Sequence, residues 1–114
     1  MKWGTVVLTP FPFSDLTTTK RHPAVIVSTV DPQKNDVIVA FISSVIRAGL
    51  SKTDILVDTL EPDFKRTGLL KSSIVKADKL LTIDKQIIAG EIGELPDNLL
   101  EELNKKLKIV FELK

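Results

Sequence analysis

Short apolar runs separated by turn-forming residues fill most of this chain, and near its end the hydrophobic period changes from that of strands to that of a helix. Residues 3–9 alternate loosely, 24–29 and 37–42 are apolar runs, and 53–57 is a fourth. Each has the length and β-branched content of a strand. Asp31-Pro32-Gln33-Lys34-Asn35-Asp36 is a turn, so the second and third strands should pair as a hairpin. Residues 63–67 read as a short helical turn before Gly68, 73–75 and 79–83 as short extended pieces, and 87–92 as a last strand. Beyond them Leu99, Leu100, Leu103, Leu107 and Val110 recur at helical spacing. Asp97, Glu101 and Glu102 precede Lys105, Lys106 and Lys108, an order that complements the helix dipole. The pattern predicts a mostly β fold: a small, curled, largely antiparallel barrel with a C-terminal amphipathic helix packed against it.

A chain of 114 residues suits one domain, 1–114, with a core of its own. The absence of cysteine excludes disulfides, thiolate metal sites and cysteine nucleophiles, and fits a reducing cytoplasm. No apolar run approaches the ~20 residues of a membrane span, and the N-terminus lacks the pattern of a signal peptide. The net charge of +1 says little about partners, but its distribution says more. Between Lys65 and Lys85 six bases face two acids, whereas from Glu91 onward six acids face four bases. A basic middle and an acidic tail suggest one face suited to phosphate.

Lys20-Arg21-His22-Pro23 stands directly before the apolar run of the second strand. Pro23 disfavours helical angles at His22 and pushes it toward extended backbone. The only histidine of the chain is therefore presented, with two basic neighbours, where a loop enters a sheet. One histidine and scattered carboxylates make no metal site. No glycine-rich phosphate loop is present, so the chain shows no sign of a cofactor.

Four blocks in order carry a family likeness. They are Gly4-Thr5-Val6-Val7-Leu8 with Pro10-Phe11-Pro12-Phe13; Lys20-Arg21-His22-Pro23 with Ala24-Val25-Ile26-Val27-Ser28; Val37-Ile38-Val39-Ala40-Phe41-Ile42-Ser43; and Ser73-Ile74-Val75-Lys76-Ala77-Asp78-Lys79 running on to Thr82-Ile83-Asp84-Lys85. Together they resemble the PemK/MazF family, the toxin components of bacterial toxin–antitoxin pairs. The resemblance implies an SH3-like barrel of about five to seven strands, a homodimer, and metal-independent cleavage of single-stranded RNA. It also implies a cognate antitoxin partner, with operator DNA bound only through the toxin–antitoxin complex. Where the family usually has arginine before the proline, this chain has His22, with Arg21 one place earlier. The usual threonine after the third strand is Ser43, and an arginine–aspartate pair found in some members becomes Lys76 and Asp78.

Metal-free RNA cleavage needs a base for the 2′-hydroxyl, an acid for the departing 5′-oxygen, and cations for the charge that builds on phosphorus-bound oxygens. General acid–base help supplies ~10²–10⁴-fold. Carried onto this chain by the resemblance, His22 is the candidate base or acid, since imidazole titrates near neutrality. Asp78 is the complementary carboxylate or orients His22 or Lys76, Arg21 and Lys76 stabilise charge, and Ser43 contacts a phosphate oxygen. Lys20 and Lys79 would hold flanking phosphates, and Ser14, Thr17, Thr18 and Thr19 would help select bases. A different reading keeps the fold but weakens catalysis, leaving a module that binds antitoxin and operator DNA. A peptide-binding barrel is disfavoured because aromatic residues are sparse.

Overall fold

The computed structural model describes residues 1–10, 20–46 and 49–114. Among the described residues six strands, β1 (Thr5–Pro10), β2 (Arg21–Ile26), β3 (Asp36–Ser43), β4 (Asp54–Val57), β5 (Ser73–Asp84) and β6 (Gly90–Glu94), precede one α-helix, α1 (Asp97–Val110). They form a single curled sheet in the order β4-β5-β3-β2-β1-β6, every pairing antiparallel. The mostly β architecture with a C-terminal helix matches the sequence expectation, and the hairpin between β2 and β3 forms across the 31–36 turn. There the Asp31 carboxylate accepts the Gln33 amide at 2.9 Å.

Alternation along the strands divides the buried residues between two clusters on opposite faces of the sheet. Val6, Val25, Ala40, Ile42, Val75 and Ala77 point toward α1, which contributes Leu99 and Leu103. Val7, Ala24, Ile26, Val37, Val39 and Ile83 form the other cluster. Burial on both faces explains why the run from Ala24 to Ile26 is continuously apolar. Leu103 is fully buried at the helix–sheet junction. Leu103→Ala should lower stability by about 3 kcal/mol in urea unfolding, the usual cost of a buried cavity of that size; a loss below about 1 kcal/mol would mean that the helix is peripheral to the core.

Three boundaries differ from the sequence reading. β2 begins at Arg21, because Pro23 holds its predecessors extended; its pairing with β3 starts only at Ala24, past the proline that lacks a donor. The last strand starts at Gly90, since the Asp84 carboxylate takes the Gln86 amide at 2.8 Å and turns Lys85–Ile87 into a 3-10 turn. The two extended pieces around Lys76 are one strand. Phe41 pairs with Lys76 but its neighbour Ala40 pairs with Leu80, so Ala77, Asp78 and Lys79 form a bulge on β5. The bulge reverses the alternation: Ala77 and Leu80 both face the α1 side, and Asp78 and Lys79 between them are exposed.

The open sheet is closed by a 3-10 turn, Phe64–Thr67, that packs against β6. The Arg66 guanidinium meets Glu94 at 2.8 Å, and Lys2 lies 3.6 Å from the same carboxylate. Much of the basic middle segment is thereby used structurally: Arg66 on Glu94, and the Lys85 ammonium on the Asp31 carbonyl at 2.7 Å.

Candidate functional site

The register of four strands sets a row of polar and aromatic side chains across the face turned away from α1. His22 on β2 lies opposite Thr9 on β1, two residues before Ala24, which faces Phe41 on β3. The His22 and Phe41 rings meet edge to face, centroids 5.6 Å apart at 63°. Phe41 is in turn opposite Lys76 on β5, and Lys76 is opposite Asp54 on β4. The row closes on an ion pair, Lys76 Nζ to Asp54 Oδ1 at 3.5 Å. Continuing the β2–β3 register by two residues sets Ser43 toward His22. The Ser43 hydroxyl oxygen accepts the Val45 amide at 3.1 Å.

Electrostatics differ along the row. Burial, and secondarily the neighbouring Lys20 ammonium, lower the His22 pKa below its ordinary 6.5, so the imidazole is mainly neutral at pH 7. Asp54 is only 7% exposed. Burial by itself would raise its pKa, but the Ser51 backbone amide at 3.0 Å and the Lys76 ammonium outweigh that and hold the carboxyl below its usual value. The contribution of Asp54 to stability is therefore complete above the ordinary carboxylate pKa and is lost as pH falls through the lowered folded value. Asp54→Ala should cost about 1–3 kcal/mol, because it strands a half-buried ammonium; unfolding at pH 7 tests this, and the deficit should shrink at pH 3.

His22, Lys76 and the strand end at Ser43 thus fall on one face. Asp78 comes two residues after Lys76, exposed at the bulge. Lys20 and Lys79 are exposed at the approaches to the row. Ser14, Thr17, Thr18 and Thr19 lie outside the described residues. Arg21 pairs with Pro10 and, by alternation, points to the opposite side of β2 from His22. There it lines a cleft of about 430 Å³ with Leu8, Pro23, Leu69, Lys71 and Ile92. Asp54 escaped the sequence reading: an aspartate opening a strand is common, and only the β4–β5 register reveals its partner. Among the described residues, no histidine–carboxylate cluster could hold a metal ion, and no helix is long and apolar enough to cross a membrane.

A neutral imidazole, a hydroxyl and a fixed ammonium across three adjacent strands can do proton transfer beside a phosphate. The strands carrying His22 and Lys76 are two sheet spacings, about 10 Å, apart. Side chains reaching inward from both ends over Phe41 can embrace one phosphodiester.

Residues 2–111 match the family model described as "PemK-like, MazF-like toxin of type II toxin-antitoxin system". No curated protein matches the chain in sequence. Among solved structures, a mycobacterial endoribonuclease in complex with its cognate antitoxin is 20% identical, with a TM-score of 0.77 over 100% of this chain and 97% of that one. The Mycobacterium tuberculosis toxin MazF-mt6 is 23% identical, with a TM-score of 0.75 over 96% of this chain and 98% of that one. A MazE–MazF structure from Deinococcus radiodurans is 19% identical, with a TM-score of 0.74 over 100% of this chain and 97% of that one. At these identities the structural likeness speaks to the fold.

Proposed function

This chain belongs to the PemK-like, MazF-like toxins of type II toxin–antitoxin systems, and on that premise we propose that it is a growth-inhibiting endoribonuclease that cuts single-stranded RNA without a metal ion. The observation that carries the reading is the His22–Phe41–Lys76–Asp54 row, two of whose members, His22 and Lys76, are positions to which the resemblance assigns catalysis.

Neutral His22 accepts the proton of a 2′-hydroxyl, and the freed oxygen attacks the adjacent phosphorus in line. The Lys76 ammonium, steadied by Asp54, offsets charge on the non-bridging oxygens, and the Ser43 hydroxyl donates to one of them. Asp78, beside Lys76 on the bulge, is the complementary carboxylate that helps orient Lys76, and the departing 5′-oxygen takes its proton from solvent water. The products are a 2′,3′-cyclic phosphate and a 5′-hydroxyl end. Lys20 and Lys79 hold flanking phosphates, and residues 14–19 contribute to base choice. The protein works in the cytoplasm as a homodimer, restrained by a cognate antitoxin through which it also reaches operator DNA. Antitoxin complexes among its structural relatives support the partner.

Purified protein incubated with single-stranded RNA in excess chelator should yield fragments with cyclic-phosphate and 5′-hydroxyl ends, and should leave the all-deoxy counterpart whole. Intact RNA, or fragments bearing 5′-phosphates, would reject the mechanism.

A further inference from the structure

Among the described residues, the one ion pair built around a buried carboxylate lies inside the row. Asp54 on β4 stands opposite Lys76 on β5, and Phe41 stands opposite the same lysine on the β3 side. The Asp54 side chain is 7% exposed and that of Lys76 26%, so the carboxylate is shut away while the ammonium keeps access to a ligand. Asp78 flanks Lys76 from the exposed bulge, whereas Asp54 is the carboxylate in contact with its ammonium. Their 3.5 Å separation is longer than the ~2.7–2.9 Å of a tight charge-assisted hydrogen bond, so the ammonium is guided and not sequestered. An ammonium carries three N–H donors, which leaves others for a phosphate oxygen.

The carboxylate is itself fixed from behind. Its other oxygen, Oδ2, accepts the Ser51 amide at 3.0 Å, and the Asp54 amide donates to the Ser51 carbonyl at 3.2 Å. The Thr53 carbonyl accepts the Ala77 amide at 3.1 Å, which pins the same turn to the residue after Lys76. The turn does not require a charge at position 54, because an asparagine or serine oxygen takes such an amide equally well. Yet the group is ionised. Burial opposes its charge, but the Ser51 amide and the Lys76 ammonium outweigh burial and keep the carboxyl negative at neutral pH. A fixed negative charge beside the cation of a phosphate site weakens the attraction of that site for an anion. The turn leaves that charge without a purpose, and the ammonium supplies one.

We propose that Asp54 is a positioning residue that fixes the Lys76 ammonium over the scissile phosphate and gives up RNA affinity in return. The inference rests on the reading of the row as an RNA-cleaving site. A lysine ammonium is a point charge on a flexible four-carbon stem. Single-stranded RNA offers it several phosphates in succession, all equally good as ion-pair partners. Without Asp54 the ammonium is free to settle on whichever oxygen is nearest, and binding does not suffer. With Asp54 behind it, the ammonium is tethered at its strand position, across Phe41 from His22. Charge that develops during attack then meets a cation already in place, with no reorganisation at the moment of reaction. Removing the carboxylate should therefore separate turnover from affinity. Loss of placement lowers kcat, and loss of a negative charge leaves RNA bound as tightly or more tightly.

The test compares the full-length parent with Asp54→Asn, which keeps an oxygen for the Ser51 amide and removes only the charge. Asp54→Ser repeats the charge removal with a smaller side chain, should the asparagine variant fail to fold. Two substrates are used: a single-stranded RNA that the parent cuts, for kcat and KM, and its fully 2′-O-methylated counterpart, which cannot be cut, for Kd. Asp54→Asn should lose at least about fivefold in kcat, the scale on which a small misplacement of a reacting group acts, with a Kd for the methylated RNA equal to or below that of the parent. In a Lys76→Met background the same substitution should no longer lower kcat, because its target is gone. The inference is overturned if the kcat loss is smaller than fivefold, if affinity for the methylated RNA falls with it, or if the loss persists without Lys76. A parent that cuts no RNA ends the nuclease reading and this inference with it. A parent that cuts, beside an Asp54→Asn variant that cuts as fast, ends the inference alone.

Discussion

Replacing His22 by alanine is expected to slow RNA cleavage by about 10²–10⁴-fold, the usual worth of a positioned proton acceptor, while the protein stays folded. The side chain is only partly buried, and its edge-to-face contact with the Phe41 ring is of a kind worth about 0.5–1.5 kcal/mol. The stability loss should therefore be small against the kinetic loss. A variant that cuts at the parent rate would remove His22 from the mechanism.

The pH profile carries more information than the single rate. His22 is held below its ordinary 6.5 by burial and by Lys20. At pH 7 the imidazole is neutral and able to accept a proton. As pH falls through the lowered value it becomes charged and can no longer act as base. The expected kcat/KM profile thus has an acid limb with its midpoint below 6.5. Stability shifts the same way: the contribution of His22 is complete above its ordinary pKa and is lost as pH falls through the folded one. His22→Arg separates charge from titration. A guanidinium stays protonated at every pH of the assay, so it can stabilise phosphate charge but has no titration near neutrality. If His22 is the base, His22→Arg should lose the acid limb together with most of the rate. A His22→Arg variant as fast as the parent would assign the position an electrostatic role.

The parts of this molecule that depend on local pattern were readable from the chain. The leucine period from Leu99 to Leu107 gives α1, and the apolar runs give β2 and β3, because both follow from one face or two faces meeting a core. What could not be read depends on which strands become neighbours. Lys76 meets Asp54 only because β4 pairs with β5, and it faces Phe41 only because a bulge at Ala77–Lys79 shifts the register. Nothing in the local sequence of Lys76-Ala77-Asp78-Lys79 announces that shift, since its two halves each look like ordinary short strands. The basic excess from Lys65 to Lys85 was legible as composition but not as function. Arg66 and Lys76 turn to carboxylates and Lys85 to a carbonyl, whereas Lys71 and Lys79 remain outward. Alternation did decide one question in advance: adjacent residues of a strand face opposite ways, so Arg21 and His22 cannot both serve one side of a regular β2.

Closure of the curled sheet rests on two glycines, and Gly68→Ala is expected to be the most damaging single methyl in the protein. Gly68 ends the 3-10 turn in the left-handed region, φ 72°, where any other L-residue is strained. A Cβ there would also lie 1.9 Å from the Ile92 carbonyl oxygen, a backbone atom of β6 that cannot swing aside as a side chain can. Gly93, on β6 itself, has no positive φ, but its Cβ would meet the Arg66 carbonyl oxygen at 2.3 Å. Gly49 is the complement: φ is 83°, and nothing lies within 4 Å of its Cβ. The three alanine variants therefore separate two physical terms. Gly49→Ala should cost only the backbone strain, about 1–2 kcal/mol. Gly93→Ala should cost the displacement of the 3-10 turn from β6, about 1–3 kcal/mol. Gly68→Ala carries both and should lose about 4 kcal/mol or more, a large share of the ~5–15 kcal/mol that holds a domain folded. Urea unfolding midpoints of the three variants read this directly. The order Gly68 worst, Gly93 next and Gly49 mildest is the signature of a sheet shut by backbone-to-backbone contact. A Gly68→Ala loss no larger than that of Gly49→Ala would show that the turn can stand off β6 at little cost, and that the sheet tolerates opening along that seam.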